Sequence, residues 1–195
     1  LERRGLSLCR YGDDVNIYVG SERSAQRVLA SISDWIEQHL RLTVNRDKSG
    51  TGRPWERQFL GFTLQRDGQI APAPRSIERF KDAVRRLWDA RQSLTSQQLV
   101  RQWQRYLRGW STYFCLATAR YDITRLEGWV RRHMRKCFWL RWHNRKGRLN
   151  ALKRLGAKPY HWRIASSRLG AWRIARSPAL QTVLRHQVLA RYGLW

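Results

Sequence analysis

The sequence has few acidic residues, few cysteines and no long apolar run, and each shortage excludes a class of protein. Only 14 Asp and Glu stand against 39 Lys and Arg in 195 residues. The three cysteines, Cys9, Cys115 and Cys137, are widely spaced and form no CxxC pair. That spacing argues against a disulfide framework or a zinc site, and it fits a reducing, intracellular compartment in which we expect all three to be small buried hydrophobes.

Two further absences concern membranes and secretion. No apolar run approaches the roughly 20 residues that a membrane-spanning helix needs. The charged start, LERR at residues 1–4, does not resemble a secretory signal peptide. We therefore expect no membrane partner.

What the sequence has in excess is positive charge. The formal net charge is +25 and the pI is about 11.5, which would be self-repelling unless a polyanion neutralised it. Nucleic acid and an acidic membrane surface are the two candidates. Eleven tryptophans accompany the arginines; such rings serve either as core or as stacking platforms for bases, and we expect most of them in the core.

The charge is divided unequally along the chain. Residues 1–74 hold 11 basic and 9 acidic residues, whereas residues 75–195 hold 28 basic and 5 acidic ones. The segment APAP at residues 71–74 separates the two parts and has the composition of a short extended linker. The sequence therefore predicts two domains, 1–74 and 75–195, with a net charge of +2 on the first and +23 on the second.

The first part has the pattern of strands and one helix. Two apolar runs, Leu6–Cys9 and Val15–Val19, flank a turn at residues 12–14, which predicts a β-hairpin with a half-buried second strand. A helix should begin at Ser21 or Glu22 and continue to Leu40. Further strands are expected at residues 42–44 and 59–64, and a turn at residues 67–68.

The second part changes to a helical period. Ser76 is a candidate cap for a first helix, and Thr95 with Gln98 resembles a capping box before a second one. A third helix should begin after Asp122, and the three should pack as a small bundle. Their expected inward residues are Ile77, Phe80, Val84, Leu87, Trp88, Leu99, Trp103, Tyr106, Leu107, Trp110, Ile123, Leu126, Val130, His133, Met134 and Cys137.

The third helix also carries a basic stripe. Arg125, Arg132 and Lys136 are separated by seven and four residues, which places them beside the apolar face. We expect them to contact the sugar-phosphate backbone of RNA. After residue 147 the pattern indicates short helices and strands rich in tryptophan and arginine.

Four short segments, in this order, resemble those of a known family. They are RYGDD at residues 10–14, LTVNRDKS at 42–49, FLGF at 59–62 and RGWSTYF at 108–114. The first is similar to the Tyr-x-Asp-Asp hairpin of reverse transcriptases, although the family usually has alanine where this chain has Gly12. The last resembles the signature of the group II intron maturase domain. The chain is thus identified as similar to the C-terminal part of a group II intron reverse transcriptase and maturase.

The resemblance implies an α+β fold in which the end of a reverse-transcriptase palm precedes a helical thumb. It implies RNA-directed DNA synthesis with Mg²⁺, in which Asp13 is a metal ligand and Asp14 a ligand or a neighbour of one. Lys48 matches the lysine near the incoming nucleotide, or is simply a surface lysine ending a turn. Residues 59–62 would form the primer-grip strand, or serve as core. The family's other metal aspartate lies outside this chain, so we expect the chain by itself to be inactive.

The resemblance also implies partners. These are group II intron RNA, which the maturase helps to fold and splice, and a DNA primer or target with deoxynucleotides; a homodimer is left open. The compartment would be the bacterial cytoplasm or nucleoid, or an organelle. In the second part Trp110 is expected to pack in the thumb, whereas Arg108 could either pack or contact RNA.

Two rival functions remain at this stage. The first is an RNA-binding splicing factor without polymerase activity, derived from a decayed or truncated reverse transcriptase. The second is a basic scaffold protein of the ribosomal type, which would explain the charge but not the ordered segments. A primer-extension assay separates the polymerase from the splicing factor.

Overall fold

The structure, a computed structural model, describes residues 5–194. The chain forms two compact units, one ending at Ala73 and the other beginning at Pro74. The expected linker at residues 71–74 is wrong. Ile70–Pro72 is a β-strand, and Ala71 and Ala73 are buried, because the backbone here is hydrogen-bonded to neighbouring residues: the Ala73 N–H donates to the Gly61 carbonyl at 2.7 Å.

The first unit begins with a tight hairpin. Strands β1 (Ser7–Tyr11) and β2 (Asp14–Tyr18) pair antiparallel, with Tyr11 opposite Asp14. Gly12 has a φ of +59° at the first central position of the turn, a conformation that glycine adopts without the steric cost of a Cβ. The hairpin is as predicted, but Asp14 belongs to the ladder, and Val15 is exposed rather than half-buried.

One helix follows the hairpin. Helix α1 (Glu22–Trp35) starts after Ser21, whose Oγ accepts a hydrogen bond from the Ser24 backbone N–H at 3.2 Å. It continues as a π-helical segment, Ile36–Leu40, and ends at Arg41 in the left-handed conformation. The predicted strand at residues 42–44 is wrong, since no partner strand among the described residues pairs with it.

A second small hairpin closes the first unit. Strands β3 (Phe62–Leu64) and β4 (Ile70–Pro72) pair antiparallel, and the turn expected at residues 67–68 is present, with a φ of +82° at Gly68. Residues 59–61 do not extend β3 as predicted. Phe59 and Phe62 exchange two backbone hydrogen bonds of 3.0 and 2.9 Å, and Leu60 and Gly61 between them have positive φ, so FLGF is itself a turn.

The second unit is helical. Helix α2 (Pro74–Leu87) begins two residues before Ser76, with proline in its first turn, where the missing N–H costs nothing. Helix α3 (Ser96–Tyr113) has the predicted capping box between Thr95 and Gln98. Helix α4 (Arg120–Arg141) includes Asp122 in its first turn instead of following it.

Short helices complete this unit. They are α5 (Arg145–Arg154), a 3₁₀ segment (Pro159–Ser166), α6 (Ala171–Ala175), α7 (Pro178–Val183) and α8 (His186–Ala190). Strands were also expected after residue 147, and none occurs between residues 148 and 194. The fold is therefore mostly helical with two small hairpins, which confirms the α+β class.

The core of the second unit is rich in aromatic rings. Phe80 from α2, Trp103 from α3 and Val130 and Met134 from α4 are completely buried. Trp88 packs edge to face on Trp103 at 5.9 Å. As expected, most tryptophans lie in this core or against it, namely Trp88, Trp103, Trp110, Trp129, Trp139, Trp142 and Trp162.

The expectation for the cysteines is correct for one residue. Cys137 is buried in the core, but Cys9 and Cys115 are exposed, because the first lies on an open hairpin and the second in the turn after α3. No helix in the described part of the chain is long and apolar enough to cross a membrane.

Candidate nucleic-acid interface and acidic hairpin tip

Two adjacent acidic residues of the first unit, Asp13 and Asp14, lie at the tip of the first hairpin. Asp13 is in the turn and Asp14 is the first residue of β2, and both are exposed. Arg10 Nε donates a hydrogen bond to the Gly12 carbonyl at 3.0 Å, which ties the strand to the turn. Carboxylate oxygens are the donors that Mg²⁺ prefers. However, residues 5–194 contain no group of three or more candidate metal ligands, so they do not by themselves fit a two-metal site.

Lys48 lies in a separate turn. Its backbone N–H donates to the carbonyl and to Oδ1 of Asn45, each at 3.2 Å, and its side chain is exposed. No hydrogen bond or ion pair within the described range joins Lys48 to Asp13 or Asp14. The structure therefore places Lys48 as a turn residue and does not assemble the three into one site.

An arginine face runs along α3. Arg101, Arg105 and Arg108 are exposed at positions i, i+4 and i+7, which lie on one side of a helix. The opposite side carries Leu99 and Trp103 into the core. Sequence reasoning found Arg108 within its RGW segment but missed Arg101 and Arg105, although their spacing of four and three behind a capping box was a usable signal.

Trp110, next to the arginine face, packs as expected. Its ring lies 4.5 Å from Phe80 and 4.8 Å from Phe114 between ring centroids. This contact attaches the C-terminal half of α3 to α2. Arg108 therefore stays outside, because the core position in this segment is taken by the tryptophan.

The three residues of the predicted stripe on α4 lie in three different environments. Arg125 is exposed. Lys136 lies with its Nζ 4.7 Å above the ring of Trp172 in α6, a cation–π contact. Arg132 is half-buried beside Arg131 and Arg176, and burial together with these positive neighbours lowers its pKa. The stripe is therefore not one uniform solvent-facing row.

Arg132 belongs to an arginine cleft of about 200 Å³, lined by Gly128, Arg131, Arg132, Arg135, Gln181 and His186. Arg135 is 7% exposed, and its Nε donates to the Leu184 carbonyl at 3.0 Å. Burial and the neighbouring guanidiniums lower the pKa of Arg135 to about 10. Sequence reasoning missed this cleft, because its two halves are some fifty positions apart.

His133 is buried, as its predicted inward position requires, and its ring contacts those of two tryptophans. Its ring is 4.0 Å from that of Trp129 and 4.7 Å from that of Trp172. Burial, together with the positive charges of Lys136, Arg85 and Arg132, lowers its pKa from 6.5 to about 4. The imidazole is therefore neutral at pH 7.

Comparison with known families assigns part of the second unit. Residues 77–156 match the family model described as "Group II intron, maturase-specific domain". This stretch runs from α2 to just beyond α5 and includes the arginine face and Arg125, Arg132 and Lys136. No curated protein matches the chain. The resemblance to a reverse-transcriptase palm in residues 1–74 stays a prediction, whereas residues 77–156 carry a match to the maturase-specific domain of group II introns, which supports a group II intron maturase.

Proposed function

We propose that this protein binds group II intron RNA through its second unit and assists the folding and splicing of that RNA. The observation that carries the proposal is that the maturase-domain match falls on the unit with almost all of the positive charge. Arginines contact phosphates without reading sequence, and they thereby position RNA. Neutralised phosphates let RNA helices approach one another, which is the physical help that a folding intron needs.

The charges inside the second unit leave most of its arginines available for RNA. Its few acidic residues are largely engaged on the protein: Glu78 pairs with Lys81, Asp82 with Arg85 and Asp89 with Arg91. No ion pair among residues 5–194 involves Arg101, Arg105 or Arg108. These three point away from the core on a rigid 18-residue helix, as a phosphate-contacting surface requires.

A splicing assay tests this function. A group II intron transcript should splice faster with the protein, at a magnesium concentration at which the RNA alone splices slowly. Replacing Arg101, Arg105 and Arg108 by glutamine should reduce that acceleration and should weaken binding to intron and unrelated RNAs by similar factors. An unchanged splicing rate with a panel of group II intron transcripts would contradict the proposal.

The exposed hairpin tip favours a second candidate function. We propose that Asp13, with Asp14, and Lys48 serve RNA-directed DNA synthesis on a DNA primer with deoxynucleotides only within a longer polymerase that supplies a further Mg²⁺ ligand. The chain alone should not extend a primer on RNA. In the longer protein, Asp13→Ala should abolish extension and leave RNA affinity unchanged. If Asp13→Ala leaves extension intact there, the protein is better explained as a splicing factor without polymerase activity.

A further inference from the structure

The arginine cleft joins α4 to the C-terminal end of the second unit. Gln181 comes from α7 and His186 is the first residue of α8. Both lie outside the stretch that matches the maturase-specific domain. The match therefore does not account for a cleft that needs both halves.

Positive charge is concentrated here with little compensation. Glu127 Oε1 lies 3.3 Å from Arg131 Nη1 and 3.1 Å from His186 Nδ1. Within the described residues, every ion pair of the cleft ends on this carboxylate, and none involves Arg132 or Arg135. The cleft thus has three guanidiniums and one neighbouring carboxylate, which pairs with Arg131 alone among the three, so the cleft keeps an excess of positive charge.

The cleft is also preformed. The Leu184 carbonyl fixes the buried Arg135, and Gln181 is held by its own Nε2, which donates to the Arg176 carbonyl at 2.7 Å. Fixed donors lose little conformational freedom when a ligand binds. Burial first, and then the neighbouring guanidiniums, lower the pKa values of Arg132 and Arg135, and a bound anion would offset both effects.

A glycine borders the cleft. Gly128 lies inside α4, where glycine is unfavourable for a helix. A Cβ built there would lie 3.6 Å from Arg131 Nη2 and 3.8 Å from Arg132 Nη1. One methyl group would therefore just touch both guanidiniums, and a longer side chain would extend into the space between them.

We propose that this cleft binds one internal phosphodiester of the RNA backbone between the guanidiniums of Arg131, Arg132 and Arg135. The proposal rests on the proposed RNA binding and deepens it by naming the site that holds one phosphate. The lining side chains mainly offer N–H donors, which match phosphate oxygens, and the one aromatic ring among the lining residues, the His186 imidazole, already contacts Glu127 Oε1 at 3.1 Å. A planar guanidinium fork suits two oxygens of one phosphate.

Variants at Gly128 test the proposed phosphate-binding site without removing an arginine. Gly128→Glu should place a carboxylate between the guanidiniums and reduce RNA affinity about ten-fold, which corresponds to one charge-assisted hydrogen bond. Gly128→Ala is the matched control and should bind like the wild type, because its Cβ makes an ordinary contact. Neither should melt earlier than the wild type, since alanine and glutamate are better helix formers than glycine.

A third variant should change RNA affinity in the opposite direction. Glu127→Gln removes the carboxylate that competes for Arg131, so it should tighten RNA binding. Equal affinity of Gly128→Glu, Gly128→Ala and wild type, with Arg101→Gln/Arg105→Gln weakened, would overturn the cleft and leave the proposed RNA binding intact. Absence of RNA binding by the wild type would overturn both.

Simple ligands distinguish an internal phosphodiester from a terminal phosphate and from free inorganic phosphate. An RNA hairpin should bind equally with a 5′-phosphate or a 5′-hydroxyl, and millimolar inorganic phosphate should compete weakly with it. If binding depends on the 5′-phosphate, the cleft binds the end of an RNA chain, and the proposal of an internal phosphodiester is wrong. Tight binding of inorganic phosphate, sensitive to Gly128→Glu while RNA binding is not, would equally overturn it.

Discussion

Trp103 in α3 donates its indole N–H to the carbonyl of Gly193, 2.9 Å away and ninety positions later in the chain. Trp103 is completely buried. The C-terminal residues are therefore attached to the centre of the helical core. The second unit is one compact unit that includes residues on both sides of the maturase-domain match.

Gly193 should be sensitive to substitution. Its φ is +86°, and a Cβ there would lie 2.5 Å from Gln104 Cγ and 3.2 Å from Trp103 Cδ1. Gly193→Ala should cost about 1–2 kcal/mol of the free energy of unfolding through the left-handed conformation alone, measured by urea denaturation. Gly109→Ala is the control. Gly109 lies in the interior of α3 with open space around it, so its replacement should stabilise by up to about 1 kcal/mol; equal effects would contradict this structure of the C-terminus.

His133 should make stability fall in acid. Its pKa is lowered in the folded state to about 4 from 6.5, so the unfolded chain binds the proton first as pH decreases. The contribution is complete above pH 6.5 and is lost progressively towards pH 4. His133→Gln should flatten the dependence of the unfolding free energy on pH in that window. If His133→Gln keeps the wild-type dependence of the unfolding free energy on pH, the imidazole of His133 is exposed to solvent and the prediction is wrong.

Lys136 should contribute to stability rather than to the salt dependence of RNA binding. Its Nζ lies on Trp172, a contact worth roughly 0.5–1 kcal/mol when exposed. Lys136→Gln should lower the thermal midpoint, and Lys136→Arg should retain it, because arginine also stacks on aromatic rings. A fall in the salt slope with an unchanged midpoint would instead return Lys136 to the phosphate-contacting stripe.

The thiols should separate by reactivity. Cys9 and Cys115 are exposed, whereas burial raises the pKa of Cys137 to about 11, and the thiolate is the reactive form. Maleimide at neutral pH should modify the first two in the folded protein and the third only in denaturant, as peptide mass spectrometry would show. Rapid modification of Cys137 under native conditions would contradict the packed core.

The sequence predicted correctly those elements that depend only on residues close together in the chain. The capping box at Thr95 and the two hairpin turns depend on neighbouring residues, and the pattern found all of them. The apolar composition of FLGF predicts a strand, although Leu60 and Gly61 both take positive φ. The prolines at residues 72 and 74 suggested a linker, but the first ends a strand and the second begins a helix.

The candidate site shows the same limit. Arg101 and Arg105 lie seven and three residues before Arg108, on the same side of the helix, and could have been found from this spacing. The arginine cleft could not, because Arg135 meets the Leu184 carbonyl across 49 positions, and no local pattern encodes that contact. A stripe read from spacing alone likewise could not show that Lys136 faces a tryptophan.

The salt dependence of RNA affinity tests the central claim most directly. Two exposed arginine pairs, each four residues apart on a helix, provide matched variants of the full chain: Arg101→Gln/Arg105→Gln in α3 and Arg23→Gln/Arg27→Gln in α1. For group II intron RNA, the first variant should reduce the slope of log K against log salt by about 0.7–0.9 for each phosphate that it no longer neutralises. The second should leave the slope unchanged. Equal reductions in both variants, or a nearly flat slope for the wild type, would contradict an RNA interface on the second unit.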